Sequence, residues 1–298
     1  RLRVGQDDMG LHARSSWWRD GDRDDGGSVA WAMTRAAALR RLCRAALLTL
    51  PVLAWPAGPA LAAGAELTYG VWSDGMRVMD LTVTMENGGA DYRVGLEAEL
   101  VGPPAWFESY RLRTHAEGRV DEGLPAPLAW RTEQRTDKKK GKWIELAFDG
   151  AGLPLMTSDP PFSPNIRPAL DEAELAGSRG PLSAIFALLQ ASEAAGGCAG
   201  ESKVYDGRRR FDLAMLDRGA ATVEGNPVYR GPAWRCAVEL TPVAGYRFDG
   251  EDKTEVSSGT LLYLAEVVPG LPRLPVRIEA GTGYGGVEIH LLGMKPLP

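Results

Sequence analysis

Between residues 67 and 100 the chain alternates apolar and polar side chains with a period of two. Leu67, Tyr69 and Val71 form one apolar row, and Leu81, Val83 and Met85 a second. Tyr92, Val94, Leu96, Ala98 and Leu100 form a third. Asp74-Gly75 and Asn87-Gly88 separate the rows. A repeat of two puts successive side chains on opposite faces of a strand, whereas a helix needs a repeat near 3.6. Asp-Gly and Asn-Gly tolerate positive φ and close tight hairpins. This stretch therefore predicts an antiparallel meander.

The same pattern continues. After the Gly102-Pro103-Pro104 break, Phe107–Ala116 resumes it with Tyr110, Leu112 and Thr114 on one face. Leu128–Thr136 and Trp143–Phe148 read as a hairpin with Asp137–Gly141 at its tip. Asp206-Gly207 turns the chain into a run starting at Arg209. Trp234, Cys236, Val238 and Leu240 alternate with Arg235, Ala237, Glu239 and Thr241, which directs Cys236 inward. Gly259–Val267 is a further strand, and Val276–Ala280 with Gly286–Leu292 makes a last hairpin. The expectation is about ten strands.

Two segments break the pattern. Residues 151–177 hold Pro154, Pro160, Pro161, Pro164 and Pro168, which predicts an irregular covering loop. Pro181–Ala195 reads as the one helix, with Ser178 as its cap, Pro181 in its first turn and Gly196 as its stop. Leu182, Ile185, Phe186 and Leu189 make a single apolar stripe along it. A strongly curved antiparallel sheet, or open barrel, with this helix in its concavity accounts for both patterns.

The N-terminal region reads as a leader. Residues 1–32 are a charged extension without periodicity, and Met33 starts a more ordinary signal sequence. Arg35, Arg40, Arg41 and Arg44 precede the apolar run Ala45–Leu53, and Ala60-Leu61-Ala62 is a small-x-small cleavage site. Cleavage after Ala62 leaves one β-rich domain, 63–298, in the periplasm, with no further membrane-spanning segment. Cys43 lies before the apolar run, in the wrong place for a lipid-modified cysteine. Residues 1–62 carry 9 of the chain's 34 basic groups and 6 of its 39 acidic ones, so the remainder has a net charge of −8. Such a chain is a poor nucleic-acid ligand.

An exported chain favours disulfides, and Cys198 and Cys236 are the only cysteines outside the leader. Pairing them ties the end of the helix to a strand. The separation of 38 residues gives about 4 kcal/mol in the chain-entropy description.

Motifs of catalysis are absent. His115 and His290 are far apart and stand in predicted strands, without acidic or cysteine neighbours at ligand spacing, so no metal site and no cofactor is expected. No Gly-x-Ser-x-Gly elbow occurs. Gly281–Gly286 lacks the Lys-Ser/Thr of a phosphate-binding loop and reads as a hairpin turn. Arg208-Arg209-Arg210 and Lys138-Lys139-Lys140 read as solvated turns, with contact to anionic head groups or envelope polymers as the functional alternative.

The run Tyr205–Leu213, then Tyr229-Arg230-Gly231-Pro232-Ala233 with Cys236, Pro242–Tyr246 and Leu274–Ile278, resembles the domain of unknown function 3108 family of exported bacterial proteins. The likeness extends over roughly 65–292. It implies a periplasmic, mostly antiparallel β protein with no assigned activity and no catalytic residue to carry over. By analogy the curved sheet with a helix in its concavity is similar to lipoprotein-carrier folds of the LolA/LolB type.

The leading expectation for function is non-enzymatic binding of a lipid-like or amphipathic envelope component in the concave face. Leu182, Ile185, Phe186 and Leu189, with Trp143 and Trp234, are the candidate lining. Two other readings stand beside it. One is a scaffold that pairs with another envelope protein through an edge strand. The other is a hydrolase acting on envelope polymers, for which Asp206, Asp212 and Glu239 are the acidic candidates.

Overall fold

The computed structural model describes residues 63–297, apart from 122, 139, 163–166, 249–258 and 283–284. The expected extension, signal peptide and cleavage site lie outside the described residues. The first half of the chain forms β1 (Ala63–Ser73), β2 (Met76–Asn87), β3 (Asp91–Leu100), β4 (Tyr110–Asp121), β5 (Leu124–Thr136), β6 (Lys142–Phe148) and β7 (Pro154–Asp159). A short 3-10 turn, Pro103–Trp106, joins β3 to β4. Two helices follow, α1 (Glu172–Leu175) and α2 (Pro181–Ala195). The second half supplies β8 (Glu201–Tyr205), β9 (Arg210–Val223), β10 (Gly231–Ala244), β11 (Thr260–Ala265), β12 (Leu274–Thr282) and β13 (Gly285–Pro296).

All thirteen strands form one antiparallel sheet in the order β7-β6-β5-β4-β3-β2-β1-β13-β12-β11-β10-β9-β8. Each strand pairs with its sequence neighbour, except that the first pairs with the last. Two meanders are therefore joined by β1 and β13, and the sheet is open between β7 and β8. The β1–β2 turn is as expected, whereas in the β2–β3 connection the positive φ, 82°, falls on Gly89 and not on Asn87-Gly88. Asp74 and Gly75 both take positive φ, 49° and 78°, between β1 and β2. Along β1 the residues Ala65, Leu67, Tyr69 and Val71 are buried.

The open seam is bridged rather than hydrogen-bonded strand to strand. Arg179 pairs with the free edge of β8: its N–H donates to Lys203 O at 2.9 Å, and the N–H of Tyr205 donates to Arg179 O at 2.9 Å. The Arg179 side chain reaches the other meander, its Nε donating to Pro125 O at 3.0 Å. Gly180 lies so close to β5 that a Cβ there would stand 2.7 Å from Cβ of Trp130. The helix then runs across the gap, touching β3, β4 and β5 on one side and β8 and β9 on the other.

The closeness of Gly180 to β5 corrects the expected cap. Gly180, not Ser178, is the N-cap of α2, and no side chain caps it. Ser178 is buried two residues earlier. The end of the helix is as read, with Gly196 left-handed at φ 69°. The proline-rich segment also differs from the expected loop, since it contains the edge strand β7 and the single turn α1. Pro154 opens β7 and Pro160 follows its last residue, so no ladder position inside the strand lacks its N–H.

The core lies between the concave face of the sheet and α2. Phe186 is 0% exposed and stacks on Tyr92, with ring centroids 4.8 Å apart. Leu182, Leu188 and Leu189 are buried beside it. Cys198 and Cys236 form a disulfide with Cα atoms 5.4 Å apart, joining the turn after α2 to the middle of β10.

Candidate functional site

The six side chains expected to line one cavity are distributed over different places. Leu182, Phe186 and Leu189 are packed in the core. Ile185 is 44% exposed, and among residues 181–192 of the helix it alone is exposed. Trp143 stands in a cleft at one end of the sheet. Trp234 lies in a different one, of about 550 Å³, under the guanidinium of Arg273 at 4.0 Å. That arginine is held in turn by Glu193 of α2, at 2.6 Å. Trp234 still packs against the edge of the core, as its alternation with Cys236 requires.

The cleft around Trp143 has the most distinctive chemistry. It has a volume of about 380 Å³. Leu112, Trp130, Thr132, Gln134, Trp143 and Ile144 form a wall from β4, β5 and β6. Lys142, Arg167, Arg208, Arg209 and Arg247 surround it, and Asp206 is the carboxylate among the described lining residues. A second cleft of about 210 Å³ shares Lys142, Trp143, Arg167, Arg208 and Arg247 and adds Asp159, Pro160, Pro161 and Phe162.

Local structure explains how the cations are held. The Asp206-Gly207 turn expected from the sequence joins β8 to β9. Asp206 accepts the N–H groups of Arg208 and Arg209 at 2.8 and 2.7 Å, and the Nε of Arg209 at 2.9 Å. The carboxylate is thus used by the turn and by Arg209. Arg167 donates to Gly245 O at 3.0 Å. The guanidinium of Arg208 lies over the Phe162 ring at 4.2 Å. Its Nε is buried and has no hydrogen-bond partner among the described residues. Burial lowers the pKa of Arg208; Asp206 opposes this, and Arg167 and Arg209 add to the lowering. Trp143 carries Arg131 over its ring at 4.4 Å, and Arg131 pairs with Glu145 at 2.6 Å.

The arginine triplet is divided by the strand it begins. Arg208 and Arg209 face the cleft, whereas Arg210 is 3% exposed and pairs with Asp212 at 2.7 Å. The sequence pattern suggested three equivalent solvated side chains. A turn followed by a strand sends consecutive residues in different directions, so a run of like charges is no guide to a shared surface. Lys138 and Lys140 do stay in solvent, with Lys140 near Asp159 at 3.7 Å.

The acidic candidates do not face one another across a groove. Asp206 is engaged as described, Asp212 with Arg210, and Glu239 with Arg218 at 3.5 Å. Neither Asp212 nor Glu239 lines the basic cleft. His290 contacts Glu288 at 2.9 Å and meets Trp72 edge-on, while His115 stays on β4. Among the described residues no group of three His, Cys, Asp or Glu side chains is arranged to hold a metal ion, and no helix is long and apolar enough to cross a membrane.

Tyr205, next to the cleft, carries a testable signature. Burial, reinforced by Asp206, pushes its phenol up to about 12. Tyr69 and Tyr92 are also raised by burial. A raised phenol favours the neutral form in the fold. The associated stability is therefore present below the ordinary value of 10.0 and is lost as pH rises through about 12. Tyrosinate absorbance and circular dichroism should change together in that window, and Tyr205→Phe should move the alkaline midpoint upward. Ionisation completed well below the loss of structure would contradict the burial of these phenols.

An open antiparallel β sheet closed by a helix, with a basic cleft at one end, is the class of protein these features define. The chain belongs to the protein family of unknown function DUF3108, whose model matches residues 65–292. Among solved structures it is similar to a crystal structure described as a beta-barrel-like protein of domain of unknown function DUF1849 from Brucella abortus. The identity is 13%, the TM-score 0.49, and the match covers 79% of this chain and 98% of the other. No curated protein matches the chain.

Proposed function

We propose that this protein binds, without chemical conversion, an anionic amphipathic molecule of the cell envelope. The anionic group sits among Arg167, Arg208 and Arg247, and the apolar part lies along Trp143, Ile144 and Phe162. The observation that carries this reading is the buried Nε of Arg208, which has no hydrogen-bond partner among the described residues and faces a cleft that also gathers Lys142, Arg167, Arg209 and Arg247. Arg167 and Arg209 repel the Arg208 guanidinium, and a bound anion offsets that repulsion while forming charge-assisted hydrogen bonds. The buried Nε of Arg208 is a donor in want of an acceptor. The ligand site thus moves from under the helix, which Phe186 and its neighbours fill, to the end of the sheet. Export by the leader read at 33–62 is part of the same proposal.

Calorimetric titration with dodecyl phosphate, inorganic phosphate and dodecyl maltoside tests it. Dodecyl phosphate should bind more tightly than either, because only it has both parts. Arg208→Gln should weaken it by about tenfold, the cost of one charge-assisted hydrogen bond at roughly 1.5 kcal/mol. Equal binding of dodecyl phosphate by the variant and the wild type would sink the reading.

A second reading has one observation in its favour. β7 has a neighbour on one side only and exposes Leu155 and Met156. An added strand from another envelope protein would pair there. Photo-crosslinking from position 155 that yields a single defined adduct would support it.

A further inference from the structure

Two glycines mark places where the chain closes on itself across the seam between β7 and β8. Gly180 against Trp130 is the first. The second is Gly207, in the turn between β8 and β9. Its φ is 87°, and a Cβ there would stand 2.5 Å from Cγ2 of Ile144 and 3.5 Å from Cγ of Met156. Ile144 is on β6 and Met156 on β7, so the turn at the end of β8 rests on the first meander.

The same turn is fixed from behind. At Gly245, with φ 76°, the place of a Cβ is taken by the carbonyl oxygen of Arg208, and Cδ1 of Leu170 is 3.0 Å from it. Arg167 donates to Gly245 O at 3.0 Å, and Asp206 accepts the N–H groups of Arg208 and Arg209. Arg167, Arg208 and the chain at 245–247 therefore pack as one lip of the basic cleft. The other lip is Thr132, Gln134, Lys142 and Ile144 on β5 and β6. The cleft thus straddles the seam, where β7 and β8 are not hydrogen-bonded to each other.

We propose that Gly207 is the positioning residue of this cleft: by letting the β8–β9 turn sit directly on Ile144 it holds Arg208 opposite β6, and a bound anion ties the two lips together across the seam. This rests on the anion-binding reading above. A side chain at 207 must lift the turn off β6 or push Ile144 into the wall, and the left-handed backbone adds strain of its own. Lifting the turn lengthens charge-assisted hydrogen bonds to the anion, which weaken steeply as geometry is lost. Conversely, an anion gripped by both lips binds the closed seam better than an opened one, and so shifts local opening toward the closed form.

Hydrogen exchange and titration of the full chain with dodecyl phosphate test this together. The N–H of Arg179 donates to Lys203 O and that of Tyr205 to Arg179 O, on the free edge of β8. Saturating dodecyl phosphate should slow exchange at both amides at least about tenfold. The signal is read at the seam, so amphiphile held elsewhere on the chain does not register. Gly207→Ala should weaken binding by about tenfold, measured as the concentration that half-protects these amides. Ile144→Ala loses apolar contact itself, but it should absorb the effect of Gly207→Ala. The double variant should bind within about twofold of Ile144→Ala alone, because the added methyl group takes the space that Cγ2 left. Gly219→Ala is the control for backbone strain. Gly219 has φ 86° and nothing within 4 Å of a Cβ, so affinity should stay within about twofold. Wild-type affinity in Gly207→Ala, or the same loss with and without Ile144, overturns the positioning role. If Gly207→Ala does not fold, the wild type decides: unchanged exchange at Arg179 and Tyr205 under saturating ligand overturns the bridge. Calorimetric binding that Arg208→Gln weakens, without slower exchange at the seam, rejects this inference and keeps the cleft as the binding site. Equal calorimetric binding by Arg208→Gln and the wild type rejects both.

Discussion

Truncation of Phe186 to alanine should lower the unfolding free energy by roughly 3–5 kcal/mol. The ring is wholly buried and stacked on Tyr92, and the helix that carries it spans the open seam of the sheet. Removing it leaves a void at the seam, where β7 and β8 are not hydrogen-bonded to each other. The helix itself is too short to hold its shape without that packing. A urea titration should show a lower midpoint with an unchanged slope, the mark of lost stability rather than an altered denatured state. Ile185→Ala, one residue earlier, is the control. Its side chain is in solvent, and the cost should stay within about 0.5–1 kcal/mol. Comparable losses for the two variants would mean that the helix face has been assigned wrongly. Phe186→Asp would bury a charge in the core and unfold the protein.

Loss of the disulfide should cost about 4 kcal/mol, the value expected for a cross-link between residues 38 apart. Both cysteines are buried, so the effect should appear in Cys198→Ser with Cys236→Ser as well as on reduction. The bond joins the turn that ends α2 to the middle of β10, so the second meander and the end of the helix should loosen together. Hydrogen exchange in α2 and β10 reads this directly. Equal protection in oxidised and reduced protein would show that packing alone holds the joint.

These two variants bear on function through the same geometry. The concavity of the sheet is occupied by the helix and its aromatic neighbours. The cleft at the end of the sheet stays open, with a wall from β4, β5 and β6 and arginines from the connections. Binding there leaves the core intact. Variants in the cleft should therefore separate affinity from stability, whereas variants under the helix cannot.

The division between what was legible in the sequence and what was not follows from the range of the forces involved. Hairpins and their turns depend on neighbours a few residues apart. Asp74-Gly75, Asn87-Gly88 and Asp206-Gly207 therefore announced antiparallel pairing, and the inward rows of β1 could be read directly. The body of α2 and its Gly196 stop were equally local. The pairing of Cys198 with Cys236 was within reach because the third cysteine, Cys43, lies in the stretch read as a leader. The pairing of β1 with β13 involves the two ends of the domain and has no local signal. The position of Gly180 against Trp130 is also a long-range contact, and it moved the helix cap away from Ser178. β7 was hidden because prolines mark its ends, and composition does not distinguish an end from an interior. The basic cleft shows the same limit most clearly. Lys142, Arg167, Arg208 and Arg247 come from four separate segments, and charge clusters in space only after the β5–β6, β8–β9 and β10–β11 connections are brought to one end of the sheet. Local propensity determined the strands and the helix of this protein, while the tertiary structure decided which of its charges meet.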